Sequence, residues 1–308
     1  MERMISVIVL ATAAGTLARL YLLRVDYRQY PSYPQGYLTH LFLGFIAAAI
    51  GAVAVPALLL HHYEAVTFLV LAATQFRDIR SMERDSLQAL EKVELVPRGT
   101  AYIEGIAKVF EARNYVAMFT ALWVGAVLVF FPGRLRWGVI PALGGAAVLV
   151  FVLDKLMTGR RVGDYARVKK APLHFKGPLL YVGDIMLMNV GLEESRRLIL
   201  EHGLGAILEP VDINARATLA SPGQRQAIVH DLSAVFGIRR DVDEPEFTPL
   251  ARLNHETGEV GLVILPVERD AAALVEAIAR VPVIENIKRK PTASAAGRRA
   301  SHTGGGGA

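Results

Sequence analysis

Four stretches of this chain are longer and more apolar than the core elements of an ordinary soluble domain. A helix rises 1.5 Å per residue, so about 20 mainly apolar residues cross a hydrocarbon layer of about 30 Å. Residues 4–23, 41–60 and 137–157 meet that length, and residues 115–131 sit at its short end. The first run continues well past Ala11-Thr12-Ala13, leaving too little apolar sequence before that triplet for a cleaved signal peptide, so it reads as a retained span. A fifth run, residues 65–76, covers only about 18 Å as a helix. It reads as interfacial, re-entrant or packed against other helices.

Basic residues set the expected orientation. Residues 77–113 carry seven and residues 154–176 another seven, which with Arg3 makes 15; the opposite side has four, Arg24, Arg28, Arg134 and Arg136. The expectation is a multi-pass cell-membrane protein with four spans and both termini cytoplasmic. Tyr27, Tyr30, Tyr33 and Tyr37 would form an aromatic belt in an external loop. The net charge of +5 is explained by this flanking of apolar segments, so nucleic acid is not expected as a partner and membrane lipid is. With no cysteine in the chain, disulfides, thiolate metal sites and cysteine nucleophiles are excluded.

Small residues recur at four-residue intervals within the spans: Ala11 and Gly15; Ala47 and Gly51; Ala117, Ala121 and Gly125; Gly138, Ala142 and Ala146. Lipid supplies no hydrophobic drive between helices, so such stripes favour close backbone contact, in a compact four-helix bundle and in a homo-oligomer. Arg19 stands near the outer end of the first span, where its head can snorkel to the interface, an intramembrane partner being the alternative.

Residues 77–95 have an amphipathic helical pattern ended by Pro97 and Gly99, and a second helix begins near Thr100 and continues into the third span. Gly105 costs about 1 kcal/mol in a helix interior, which argues for a close contact or a bend there. The second helix reads Tyr102-Ile103-Glu104-Gly105-Ile106-Ala107. That string, with Gln75-Phe76-Arg77-Asp78-Ile79-Arg80, Met82-Glu83-Arg84 and Phe110-Glu111-Ala112-Arg113-Asn114-Tyr115 beside it, resembles the YIEGIA family over nearly the whole chain. The resemblance implies a membrane protein of endospore-forming Gram-positive bacteria, associated with sporulation, with a small capping-complex subunit as companion. It implies no catalytic role for any motif residue. The segment 77–113 balances seven basic against seven acidic residues, so anionic lipid is a weak account of it. Its candidate partner-contact residues are Arg77, Arg80, Glu83, Arg84, Tyr102, Glu104, Glu111 and Arg113. Exposed pairing of Glu104 with Lys108 and of Arg80 with Glu83 is the plainer alternative, at about 0.2–0.5 kcal/mol each.

The domain plan is a membrane part over residues 1–158 containing the cytoplasmic segment 77–113, a basic juxtamembrane linker at 159–176, an α+β domain of two layers at 177–290, and a disordered tail at 291–308. Within the soluble part the order reads β-α-β-α-β-β-α-β. Residues 192–202 form a helix closed by Gly203. Ser221-Pro222-Gly223-Gln224 opens another as N-cap, N1 and N3, residues 250–254 and 260–265 form a hairpin, and residues 283–287 a last strand.

No phosphate loop, dinucleotide motif, nucleophile elbow or zincin signature is present, and no cofactor is expected. His61, His62 and Glu64 could meet a metal only with unusual geometry, since adjacent helical positions point about 100° apart. Asp184 and Asp212 read as solvated turn acids, and His230 and Asp231 as helical neighbours that do not face one another. The leading expectation is a non-enzymatic scaffold. A transporter or channel gated by the soluble domain, and an interfacial enzyme near His61 and Glu104, are the alternatives.

Overall fold

The computed structural model describes residues 2–26, 34–131, 135–157, 159–241, 244–245 and 247–303. The chain divides into two units, one of residues 1–86 with 106–158, the other of residues 87–105 with 159–308.

The first unit contains the four long apolar helices: α1 (Glu2–Asp26), α2 (Pro34–Leu59), α4 (Thr100–Phe130) and α5 (Leu135–Met157), all long and apolar enough to cross a membrane. Between α2 and α4 runs α3 (Tyr63–Leu90). Tyr27, Tyr30 and Tyr33 of the expected aromatic belt lie outside the described residues. A tight turn joins α2 to α3, with His62 N donating to Ala57 O and His61 in the left-handed region at φ 56°. The turn engages the backbone of His61 and His62 and leaves both side chains exposed, and among the described residues no cluster of three metal-ligating side chains forms.

Pairings give each helix a direction. Gly15 of α1 lies against Ala48 of α2 and Gly44 of α2 against Arg19, so those two are antiparallel. Arg3 donates to Leu128 O at one end of α4 and Arg19 to Asn114 nearer the other, so α1 opposes α4 as well. In α3, Phe76 shares a buried cluster with Ala47 and Ala117, while His40 faces Glu83 and Arg80 meets Glu111. Those contacts keep register only if α3 runs back along both α2 and α4. Gly145 against Trp123 and Gly138 against Leu128 set α5 antiparallel to α4. The start of α1 and the end of α5 therefore lie at opposite ends of the bundle. Residues 65–76 are the start of a longer helix, packed against α2 and α4. The 28-residue helix α3 is about 42 Å long, and its charged second half completes what the apolar run begins.

The small residues are where the helices touch. Ala11, Ala47, Ala48, Ala52, Ala117, Ala121 and Ala142 have no exposed surface. A Cβ on Gly15 would lie 2.6 Å from Ala117 O. Contacts this close exclude larger side chains.

In the second unit, β1 (Ala166–Lys170), β5 (Leu204–Pro210), β9 (Val260–Ile264) and β8 (Leu250–Leu253) form an antiparallel sheet in the order β1-β5-β9-β8. Alternate residues of β5 face opposite ways. Ala206 and Leu208 meet α7 (Ile213–Leu219), α8 (Pro222–Phe236) and α9 (Ala271–Arg280), while Ile207 meets a second sheet, β2 (Leu173–Lys176), β3 (Leu179–Val182) and β4 (Ile185–Asn189), with α6 (Glu193–His202). A two-residue ribbon, β6 (Arg240–Asp241) and β7 (Glu244–Pro245), and α10 (Ala295–Thr303) complete the unit. The class is α+β as expected, and the hairpin falls at β8–β9 with Gly258 at φ 79°.

Other boundaries differ. Residues 159–176 are no linker: β1 pairs with β5 along its length and β2 with β3. Residues 291–303 are helical, and Thr292 binds Asn214 through both its N–H and its hydroxyl, so the tail begins packed; residues 304–308 lie outside the described ones. Residues 285–287 form a 3-10 turn instead of a strand. Ser221 is the N-cap of α8 but its side chain makes no capping bond, and Gln224 turns inward. Asp212 is exposed and also caps α7, accepting from Ala215 N–H.

Candidate functional site

Leu87–Gly105 belongs to the soluble unit because its side chains are built into that core. A 3-10 turn at Glu91–Val93 follows α3 and brings Glu91 back over the start of α4. The Glu91 carboxylate accepts from the N–H groups of Arg98 and Gly99 at 2.9 and 2.8 Å. Acceptance at the positive end of a helix is favourable. Gly99, at φ 86°, holds a conformation that a β-carbon would strain, and its carbonyl accepts from Tyr102 and Ile103. Val96 enters the core formed by the four-stranded sheet and its helices.

Helix α8 supplies the other half. Gln226 donates to Pro97 O, the His230 ring lies 2.7 Å through Nδ1 from Val96 O, and the Tyr102 hydroxyl donates to Asp231 at 3.1 Å. His230 and Asp231 do point apart, as adjacent helical residues must; each meets a different part of the same strap. Gly105 is close-packed, a Cβ there falling 3.3 Å from Ile284. The sequence reading set Asp231 aside as a helical neighbour of His230 that does not face it; its partner lies 129 residues away. The cue available was Tyr102 itself, whose hydroxyl needs an acceptor once its ring is buried.

Burial pushes the Asp231 carboxyl up to about 6, against the opposing pull of the Tyr102 hydroxyl, His230 and Arg98. The sign follows: a carboxyl with a raised folded-state pKa stabilises the fold fully below its unfolded value near 4, and that contribution is lost as pH rises through 6. The soluble unit is expected to gain on the order of 1–2 kcal/mol between pH 7.5 and 5 from this group, less than full conversion of the shift because solvent still reaches it. Asp231→Asn should remove that slope in hydrogen-exchange stability measurements. An unchanged slope would assign it elsewhere.

The first unit has a polar level of its own. Arg19 and Asn114 are fully enclosed and bonded at 3.1 Å, Arg19 lies 5.3 Å from the Phe110 ring centroid, and Arg113 is within electrostatic range of Arg19 and Asp154. His40 stacks obliquely on Phe110 and faces Glu83 at 4.0 Å, and Arg80 bonds Glu111 at 3.3 Å. Arg19 therefore does not snorkel: a side chain that would have to reach water has found a polar partner on α4.

The family model described as YIEGIA protein matches residues 7–294. The chain belongs to the YIEGIA family. A protein of Bacillus subtilis (strain 168), "Uncharacterized protein YphB", is 46% identical over 286 residues, covering 92% of this chain and 94% of that one. No solved structure matches.

The YIEGIA motif is a packing element. Tyr102 and Ile103 are buried, as are Ile106 and Ala107, with Glu104 half-buried between them. The motif's flanks meet one another in the first unit, through Phe76 on Tyr115 and Arg80 on Glu111. The eight expected contact residues thus separate. Tyr102 and Arg113, 7% and 6% exposed, are too buried to form a surface; Arg80, Glu83 and Glu111 hold helices together; Arg84 binds Asp85 and Ser81; Arg77 is exposed. The exposed or half-buried remainder is Arg77 and Arg84 in the first unit and Glu104 in the second.

Proposed function

We propose that this chain is a multi-pass membrane scaffold of the sporulating cell, whose α+β domain and motif segment recruit protein partners, a small capping-complex subunit among them. The observation that carries the reading is α4. Thr100–Phe130 is one unbroken helix whose beginning packs into the folded domain through Tyr102 on Asp231 and Gly105 on Ile284, and whose remainder belongs to the apolar bundle. The chain passes from one unit into the other within this helix. The family resemblance and the Bacillus subtilis relative support the sporulation setting.

The helix directions support a side for each end. With α3 returning, Arg24 joins the end that also carries residues 77–86 and the exit of α5, while Arg3 joins Arg136, at the start of α5, at the other. The basic excess becomes more one-sided than four crossings allow, which supports a cytoplasmic exit of α5 and an external start of α1.

The test is capture of proteins from sporulating membranes with wild-type chain and with Glu104→Gln. A discrete partner set, reduced in the variant at normal insertion, is expected; an identical set in both would remove Glu104 from the surface, and an empty one would reject the scaffold. The buried level of Arg19, His40 and Asn114 is the observation that favours a transporter as second reading. Ion flux through vesicles of purified protein would favour it over the scaffold.

A further inference from the structure

We propose that the outward face of α3 pairs with the same face of a second copy of this chain, the two helices running parallel about a two-fold axis. The inference is independent of the scaffold reading and uses only contacts inside the first unit. One side of α3 is already spent: Phe76 and Ile79 pack with Ala47 and Ala117, Arg80 bonds Glu111 and Glu83 faces His40. The other side repeats every seven residues. Thr67, Thr74 and Ser81 run down its middle. Three residues after each stand Val70, Arg77 and Arg84, and four after each Leu71, Asp78 and Asp85. All are exposed except Ser81 and Arg84, which are half-buried. A seven-residue repeat keeps one seam facing a parallel partner along its whole length.

Depth argues against lipid as the cover. Phe76 lies against Ala47, inside the apolar run 41–60, so Arg77 and Asp78 leave the helix within about 3 Å of that level. Hydrocarbon covers an exposed aspartate there only at high cost. Charge argues for a second copy. Membrane insertion gives both copies one direction, and across a two-fold axis residues of equal number meet at one level. Arg77 of each copy then flanks the other copy's Asp78, and one repeat further Arg84 flanks Asp85. Within a single chain Arg84 holds its own Asp85 at 3.1 Å, while Arg77 and Asp78 form no ion pair among the described residues. The threonines suit the apolar half of the seam. Thr67 donates to Tyr63 O at 3.0 Å and Thr74 to Leu71 O at 2.6 Å, so these small side chains can meet without stranding a donor.

The chain has no cysteine, so single cysteines report the face. Full-length chains carrying Thr67→Cys, Thr74→Cys or Gln75→Cys, each made with two different affinity tags, are reconstituted together in vesicles at high lipid excess and oxidised. Disulfide-linked pairs bearing both tags are expected at Thr67 and Thr74 and not at Gln75, which is exposed but lies about 100° round the helix from Thr74. In the Thr74→Cys chain, R77D or D78R makes both cross-chain contacts repulsive and should lower the linked fraction about five- to tenfold, and the double swap R77D/D78R should restore it. A monodisperse peak for each variant in detergent excludes loss of fold as the cause of a lower fraction. Equal linkage at Thr74 and Gln75, or linkage that the single reversals leave unchanged, would overturn the proposal. So would Thr74→Cys chains that stay monomeric, covered by lipid or by their own soluble domain, or that link to a different protein in cell membranes.

Discussion

Gly51→Leu is expected to abolish the folded bundle. A Cβ at this position would lie 2.1 Å from the carbonyl oxygen of Met118, 2.9 Å from its carbon and 3.2 Å from Leu122 N. All three are backbone atoms of α4, so no rotamer change makes room. The helices must separate, and Ala47, Ala48, Ala52, Ala117 and Ala121, all fully buried, lose their contacts along the same seam. Overpacking costs about 1–3 kcal/mol where a core can relax, and rigid backbone on both sides puts this case at or above that range. Gly144→Leu is the matched control, because nothing lies within 4 Å of a Cβ there. In detergent, the Gly51 variant should lose its monodisperse peak and melt far below wild type, with the Gly144 variant unchanged. Equal behaviour of the two would mean that α2 and α4 are not in contact.

A second large effect is expected at Gln224→Leu. Gln224 is fully buried; its amide donates to Pro282 O at 3.1 Å and its carbonyl accepts from Ile284 N at 2.9 Å. Those bonds hold the segment whose Ile284 packs on Gly105. Leucine fills a similar volume but leaves a buried carbonyl and a buried N–H without partners, at about 1–3 kcal/mol each. Hydrogen exchange at Ile284 in the full chain should accelerate by two orders of magnitude or more. Protection equal to wild type would show that water replaces the side chain at no cost.

The long apolar runs and the small-residue stripes were legible because length and close approach are properties of local sequence. The return of α3 was not. Its apolar part is short, and the ion pairs that let Arg80 and Glu83 continue the helix along its neighbours come from α4 and α2. Gln224 had the right spacing for a capping box, and only the fold shows that Pro282 and Ile284 compete for it. Strand β1, Ala-Arg-Val-Lys-Lys, alternates faintly under a basic composition that suggested a linker. Asp231 had no local signal because its partner, Tyr102, lies in a different stretch of the chain.

The bundle is expected to span a membrane with the start of α1 and the end of α5 on opposite faces. Single cysteines at Glu2 and Glu256, in a chain otherwise free of cysteine, can be labelled in intact cells with an impermeant maleimide. Labelling at Glu2→Cys from outside, with Glu256→Cys reached only after lysis, is the predicted result. Both sites reacting from the same side of the membrane would contradict it.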